Sequence, residues 1–106
     1  MSEHVSEFKE LSDLLRRFAE VRDWGRFHTP KNLAMATAGE VGELVAEFQW
    51  LTPAESQSAA LSAEKLEAIA LEIADVQIYL LRLADVLGLD IPDAVRRKVA
   101  INESRF

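Results

Sequence analysis

Apolar residues recur every three to four positions along nearly the whole chain and do not alternate one by one, so the pattern predicts helices and no strands. From about Val5 to Arg22, Phe8, Leu11, Leu15 and Phe18 form a stripe widened by Leu14 and Val21, while Glu7, Lys9, Arg16 and Arg17 fall outside it. The next residues, Asp23 to His28, include Trp24, Phe27 and the helix-weakening Gly25, and read as a loop. Thr29 and Pro30 start a second helix, because Thr can cap the first amides and Pro at the first helical position forfeits no needed hydrogen bond. Its stripe is Val41, Leu44, Val45, Phe48 and Leu51. Thr52, Pro53 and Glu55 repeat the start signal as a capping box and predict a short helix or turn to about Ala60, a connector. Ser62 caps the longest pattern, Ala63 to Leu87, which Gly88 closes with Pro92 just beyond. Asp90 caps a last helix to about Ser104, which aligns Lys98, Asn102 and Arg105.

The third helix carries two apolar stripes. Ile69, Ile73, Val76, Leu80, Leu83 and Leu87 form one, and Leu71, Ala74, Ile78 and Leu81 the other, roughly opposite. Such a helix is expected to be buried nearly all round, and in a chain this short the second face points to a subunit interface, most simply a homodimer. Against these stripes stand two acidic pairs at helical spacing, Glu40 with Glu43 and Glu72 with Asp75. On a helical wheel Glu40, Glu43 and Glu47 line one edge of the second helix's stripe, and Trp50 falls on the same acidic side. Glu72 and Asp75 lie near the boundary between the stripes of helix three, with Tyr79 one turn after Asp75.

Composition narrows the chemistry. With 106 residues, the chain is expected to form one domain spanning 1–106, and with 49% hydrophobic and 28% charged residues it should fold as an ordinary globular protein. Its formal net charge of −6, with no basic run longer than Arg96, Arg97 and Lys98, makes a nucleic acid polymer an unsuitable partner. The absence of cysteine excludes disulfides, thiolate metal sites and a cysteine nucleophile. Around Glu3, His4, Glu7 and Lys9 there is no apolar signal core, and no apolar run approaches a membrane span, so no membrane is expected and the cytoplasm is the default location.

A single acidic pair three apart on a helix usually marks a solvated face. Two pairs in apolar sequence are different: buried, unpaired carboxylates cost several kcal/mol or protonate, and no Lys or Arg lies one turn from Glu72 or Asp75. Helices packed side by side would pool four carboxylates, and a hard divalent cation, Mg²⁺ or Mn²⁺ rather than zinc, would neutralise them. A di-iron bundle would need Glu-x-x-His pairs, yet the only histidines are His4 and His28.

These residues resemble a family. Glu-Val-Gly-Glu-Leu at 40–44, Phe-Gln-Trp ending at Trp50, and Glu-Ile-Ala-Asp-Val at 72–76 with Tyr79 are similar to the MazG-like all-α nucleoside triphosphate pyrophosphatases, nearest the dCTP pyrophosphatase branch. The resemblance extends from Arg22-Asp23-Trp24 through Phe27-His28-x-Pro30-Lys31-Asn32 to Lys98-x-x-x-Asn102. It implies a four-helix-bundle-like fold whose long central helices two and three carry the acidic pairs. It also implies hydrolysis of a deoxynucleoside triphosphate, dCTP or a related nucleotide, to monophosphate and pyrophosphate, as pool housecleaning. Mg²⁺, with Mn²⁺ as a substitute, would be held by Glu40, Glu43, Glu72 and Asp75. Trp24, His28 and Trp50 would form the base pocket, Tyr79 would approach the sugar or phosphate, and Lys98 with Asn102 would contact the phosphate tail. The assembly would be a homodimer or a dimer of dimers.

Two positions depart from the family pattern. Leu15 stands where relatives place a base-contacting histidine, and Glu47 is an acid where an apolar residue is expected, Ala46 replacing a neighbouring Glu. The contrasting expectation, from another class, is a non-catalytic helical dimerisation or regulatory module whose acids are structural.

Overall fold

The structure, a computed structural model, describes residues 6–106. His4, and Val5 from which the first apolar pattern begins, lie outside the described residues. The fold is all-α: four α-helices, α1 (Glu7–Val21), α2 (Pro30–Ala46), α3 (Ala63–Leu87) and α4 (Ile91–Arg105), with no strand among the described residues. Short 3₁₀ turns occupy Gly25–Phe27 and Ser58–Ala60.

The helix ends follow local chemistry. Ser6 caps α1, its Oγ accepting from the Lys9 amide at 3.1 Å. The C-terminus of α1 is a Schellman turn, with the Trp24 amide donating to the Ala19 carbonyl at 2.9 Å and the Asp23 amide to the Glu20 carbonyl at 3.1 Å. Asp23 takes the left-handed conformation this turn needs, at φ 54°. Trp24 then folds back on Phe18, ring centroids 5.5 Å apart and edge to face. The same turn ends α3, where the Leu89 amide donates to Ala84 and the Gly88 amide to Asp85, with Gly88 at φ 68°. Asp90 caps α4 through the Asp93 amide at 3.0 Å, and Ser62 accepts from the Lys65 amide at the start of α3 at 3.0 Å.

The second helix is shorter than its apolar pattern predicts. It stops at Ala46 rather than near Leu51, and the Glu47 and Phe48 amides bond to the Leu44 and Val45 carbonyls in tight three-residue turns. The chain is thereby turned toward Thr52, where the expected capping box forms: the Thr52 amide donates to Glu55 Oε1 at 2.8 Å and the Glu55 amide to Thr52 Oγ1 at 3.2 Å.

The chain gathers into two compact units, one comprising residues up to Pro30 together with Leu81–Phe106, the other Lys31–Leu80. In the first, Ala19, Leu81 and Ala84 are buried; in the second, Leu33 and Ile69 are. The expectation that α3 is buried nearly all round is not met within one chain, since Leu71, Ile73, Ile78, Leu80 and Leu87 remain exposed. A single chain of this size has too few neighbours to cover two opposite stripes of one helix.

Candidate functional site

In the second unit, α2 brings Glu40 and α3 brings Glu72 and Asp75 to one place, with a carboxylate oxygen from each lying within 4.8 Å of the others. The three-residue spacing on α3 puts Glu72 and Asp75 on one face. Glu72 Oε2 is buried and has no hydrogen-bond partner. Burial raises the Glu72 pKa above its ordinary value, and the charges of Asp75, Glu43, Glu40 and Glu47 raise it further, in that order. None of the ion pairs among the described residues engages Glu40, Glu72 or Asp75. A set of oxygen donors with an orphaned buried atom and uncompensated negative charge fits a hard divalent cation.

Glu43 is exposed and stands outside that close trio, although its charge acts on Glu72. Glu47, the acid at the unexpected position, is bound by Lys65, whose Nζ donates to Glu47 Oε1 at 2.7 Å. The pair is part-buried, and eighteen residues separate its members, so no local pattern announced it. Lys65 is the cation nearest in kind to what the acids lack, but it is spent on Glu47. Trp50 does not share a helix face with the acids, because α2 has ended; it sits in the following turn and is 86% exposed. Tyr79 lies on α3 as expected and is half-buried.

In the first unit, the Schellman turn sets Trp24 beside His28, ring centroids 6.0 Å apart and tilted by 55°. Arg22 lies over Phe18, its guanidinium carbon 3.5 Å from the ring centroid, which stiffens the same corner. His28 Nδ1 accepts from Arg82 Nε at 3.3 Å. Arg82 is buried, and its Nη1 donates to Asp85 Oδ2 at 3.0 Å. Asp85 in turn receives Arg16 through two bonds, Nη2 to Oδ1 at 2.6 Å and Nε to Oδ2 at 3.0 Å. The Arg16 hydrogen bond is the chief reason the Asp85 carboxyl is held below its ordinary pKa, and the charges of Arg16 and Arg82 add to it. Burial, then the charge of Arg82, lowers the pKa of His28 and favours its neutral imidazole. Lys98 and Asn102 lie on α4, the former exposed and the latter half-buried. Leu15 is on α1, half-buried.

Arg82, Asp85 and Arg16 form a connected set that sequence spacing alone does not reveal. One signal was present: Arg82 is a charge set among Leu80, Leu81, Leu83 and Ala84, with Asp85 three residues on as its local partner. The partners 54 and 69 residues away could be known only from the fold.

Comparison with known proteins places this arrangement in context. The model of the MazG-like family matches residues 36–105, a span that includes all four acids. The dCTP pyrophosphatase 1 of Homo sapiens is 42% identical over 98 residues, and that of Rattus norvegicus 41%. These alignments cover 92% of this chain and 58% of each relative, so the chain spans little more than half the length of the curated relatives it matches. A dATP/dGTP diphosphohydrolase of Cyanophage S-2L is 54% identical over 35 residues, 33% of each chain. The crystal structure of a pyrophosphatase from Archaeoglobus fulgidus superposes with a TM-score of 0.89 at 40% identity, covering 100% of this chain and 97% of the other.

Proposed function

This chain belongs to the MazG-like family, and on that premise we propose that it is a Mg²⁺-dependent nucleoside triphosphate pyrophosphohydrolase. The substrate is a deoxynucleoside triphosphate, dCTP or a close relative of it, and the products are the monophosphate and pyrophosphate. The observation that carries the reading is the buried, partnerless Glu72 Oε2 beside Glu40 and Asp75. The names of the relatives, pyrophosphatases and diphosphohydrolases, support the same reaction class.

Glu40, Glu72 and Asp75, with Glu43 completing the set, would hold the cation; Mn²⁺ is the expected substitute. When bound, it neutralises triphosphate charge and makes phosphorus more open to attack by water. The remaining work falls to the chain. A carboxylate of the acidic group, with Glu47 the one fixed by Lys65, takes the proton of the attacking water. Trp24 offers an aromatic face on which a base stacks, and His28 a polar edge beside it. Trp50 and Tyr79 are assigned to base and sugar contacts, and Lys98 and Asn102 to the phosphate tail. No helix among the described residues is long and apolar enough to cross a membrane. The exposed apolar residues of α3, Leu71 and Ile73 among them, favour a homodimer or dimer of dimers.

The test is incubation with a panel of normal and modified nucleotides and Mg²⁺ or Mn²⁺, with the products separated. Monophosphate and pyrophosphate from a deoxynucleotide are expected, and Glu43→Gln and Glu72→Gln should each abolish turnover while the helical signal persists. No product from any nucleotide, with folded protein, would overturn the enzyme reading. Thermal stability unmoved by either cation would then favour a helical module with structural acids.

A further inference from the structure

A buried arginine on a helix usually answers to a carboxylate alone; Arg82 has two partners of different kinds. Its Nη1 is anchored on Asp85, and its Nε is presented to a nitrogen of the His28 ring. A guanidinium has no lone pair to give, so the atom it meets on His28 must accept. Nδ1 therefore carries no proton, and in a neutral imidazole the proton resides on Nε2. The anchor is itself fixed, because both Asp85 oxygens also receive Arg16. Rotation of Arg82 away from His28 would break its bond to Asp85 in a buried setting, where an unpaired charge is costly.

We infer that Arg82 is a positioning residue that, braced by Asp85 and Arg16, fixes His28 as an Nε2–H donor beside Trp24 and so biases the site toward pyrimidines whose ring N3 is a hydrogen-bond acceptor. The inference rests on the proposed function in that it takes Trp24 and His28 to meet the base; the tautomer does not depend on that reading. Cytosine presents adjacent acceptors, its ring N3 and its carbonyl oxygen, whereas thymine presents N3–H as a donor at the matching place. A histidine free to take either tautomer would serve both; one held as a donor favours the first. Loss of the brace should therefore weaken discrimination more than it weakens chemistry.

The experiment has a spectroscopic and a kinetic arm, both on the full chain. Nitrogen-15 correlation spectra of the imidazoles at pH 7 report which nitrogen is protonated, with His4→Gln assigning the two histidines. The expected result is Nε2–H for His28 in the unaltered protein. An Nδ1–H tautomer or a charged ring there would overturn the inference, whether or not any variant folds. In the kinetic arm, Arg82→Met should lower KM for dTTP relative to that for dCTP, so that the preference for dCTP over dTTP falls by up to about tenfold, the worth of one modest hydrogen bond, with kcat for dCTP within about twofold. Arg82→Lys should restore part of that preference by supplying a single donor. Turnover with unchanged KM and preference in Arg82→Met overturns the inference and leaves the proposed reaction standing. Absence of turnover in the unaltered chain overturns the proposed reaction and the role in base choice together.

Discussion

Replacing Asp85 by alanine isolates what the charged cluster of the first unit contributes to stability. The carboxylate accepts three bonds, two from Arg16 and one from Arg82. The two arginines respond differently to its loss. The Arg16 side chain is 47% exposed and returns to water at little cost, whereas that of Arg82 is 8% exposed and is left charged and unpaired on that side. Stranding a buried ion costs about 3–5 kcal/mol, of which alanine's better helix propensity recovers about 0.5, leaving a net loss of about 3 kcal/mol. In a chain of this length each kcal/mol moves the melting temperature by about 4–8 °C, so a fall of about 15 °C is expected, measured by circular dichroism at one fixed protein concentration. Arg16→Gln should cost less than about 1 kcal/mol. The pH dependence follows from the same bonds. Because the Asp85 pKa is lowered in the folded protein, its contribution is whole above the ordinary value of 3.8 and disappears only as pH falls through the lower, folded value. The gap between the two proteins should thus stay constant through the neutral range and close in acid. A melting temperature within about 3 °C of the original at pH 7, or a gap that persists in strong acid, would refute the account.

Glu72→Gln should raise the melting temperature of the metal-free protein, since it removes a buried charge repelled by Asp75, Glu43, Glu40 and Glu47, and should erase the stabilisation gained on adding Mg²⁺; a variant that melts lower in chelator would contradict the electrostatics. At a free cation concentration a hundred times its dissociation constant, that gain in the unaltered protein should be about 2.7 kcal/mol. Gly88→Ala should destabilise by about 1 kcal/mol in urea denaturation. A Cβ there would have open space but would be held at a positive φ, and a neutral result would mean that the turn relaxes.

Helix starts and stops were legible where one residue decides them. Ser62, Gly88, Asp90 and the Thr52 and Glu55 box act through a backbone group within a few residues, so spacing alone reveals them. The end of α2 was hidden for a related reason. Tight turns after Ala46 advance the chain by nearly the angle a helix would, so Phe48 and Leu51 keep an apparently helical rhythm with no Gly or Pro before Pro53 to break it. The acidic trio was visible because each helix contributes its acids at fixed spacing, and only the meeting of α2 with α3 had to be supposed. The pairing of Lys65 with Glu47 and the link from Arg16 through Asp85 and Arg82 to His28 join distant residues. No periodicity records such contacts; they arise once packing has excluded water from the charges concerned.

The early end of α2 gives the protein an optical handle. There are two tryptophans, and they occupy unlike settings: Trp24 is locked against Phe18 and near His28, while Trp50 stands on a turn almost wholly in water. Emission from Trp50 should be red-shifted and readily quenched by iodide, and that from Trp24 less so. Any event that covers the turn will shift the spectrum to the blue, so a Trp24→Phe variant turns intrinsic fluorescence into a single-site reporter read in real time without a label.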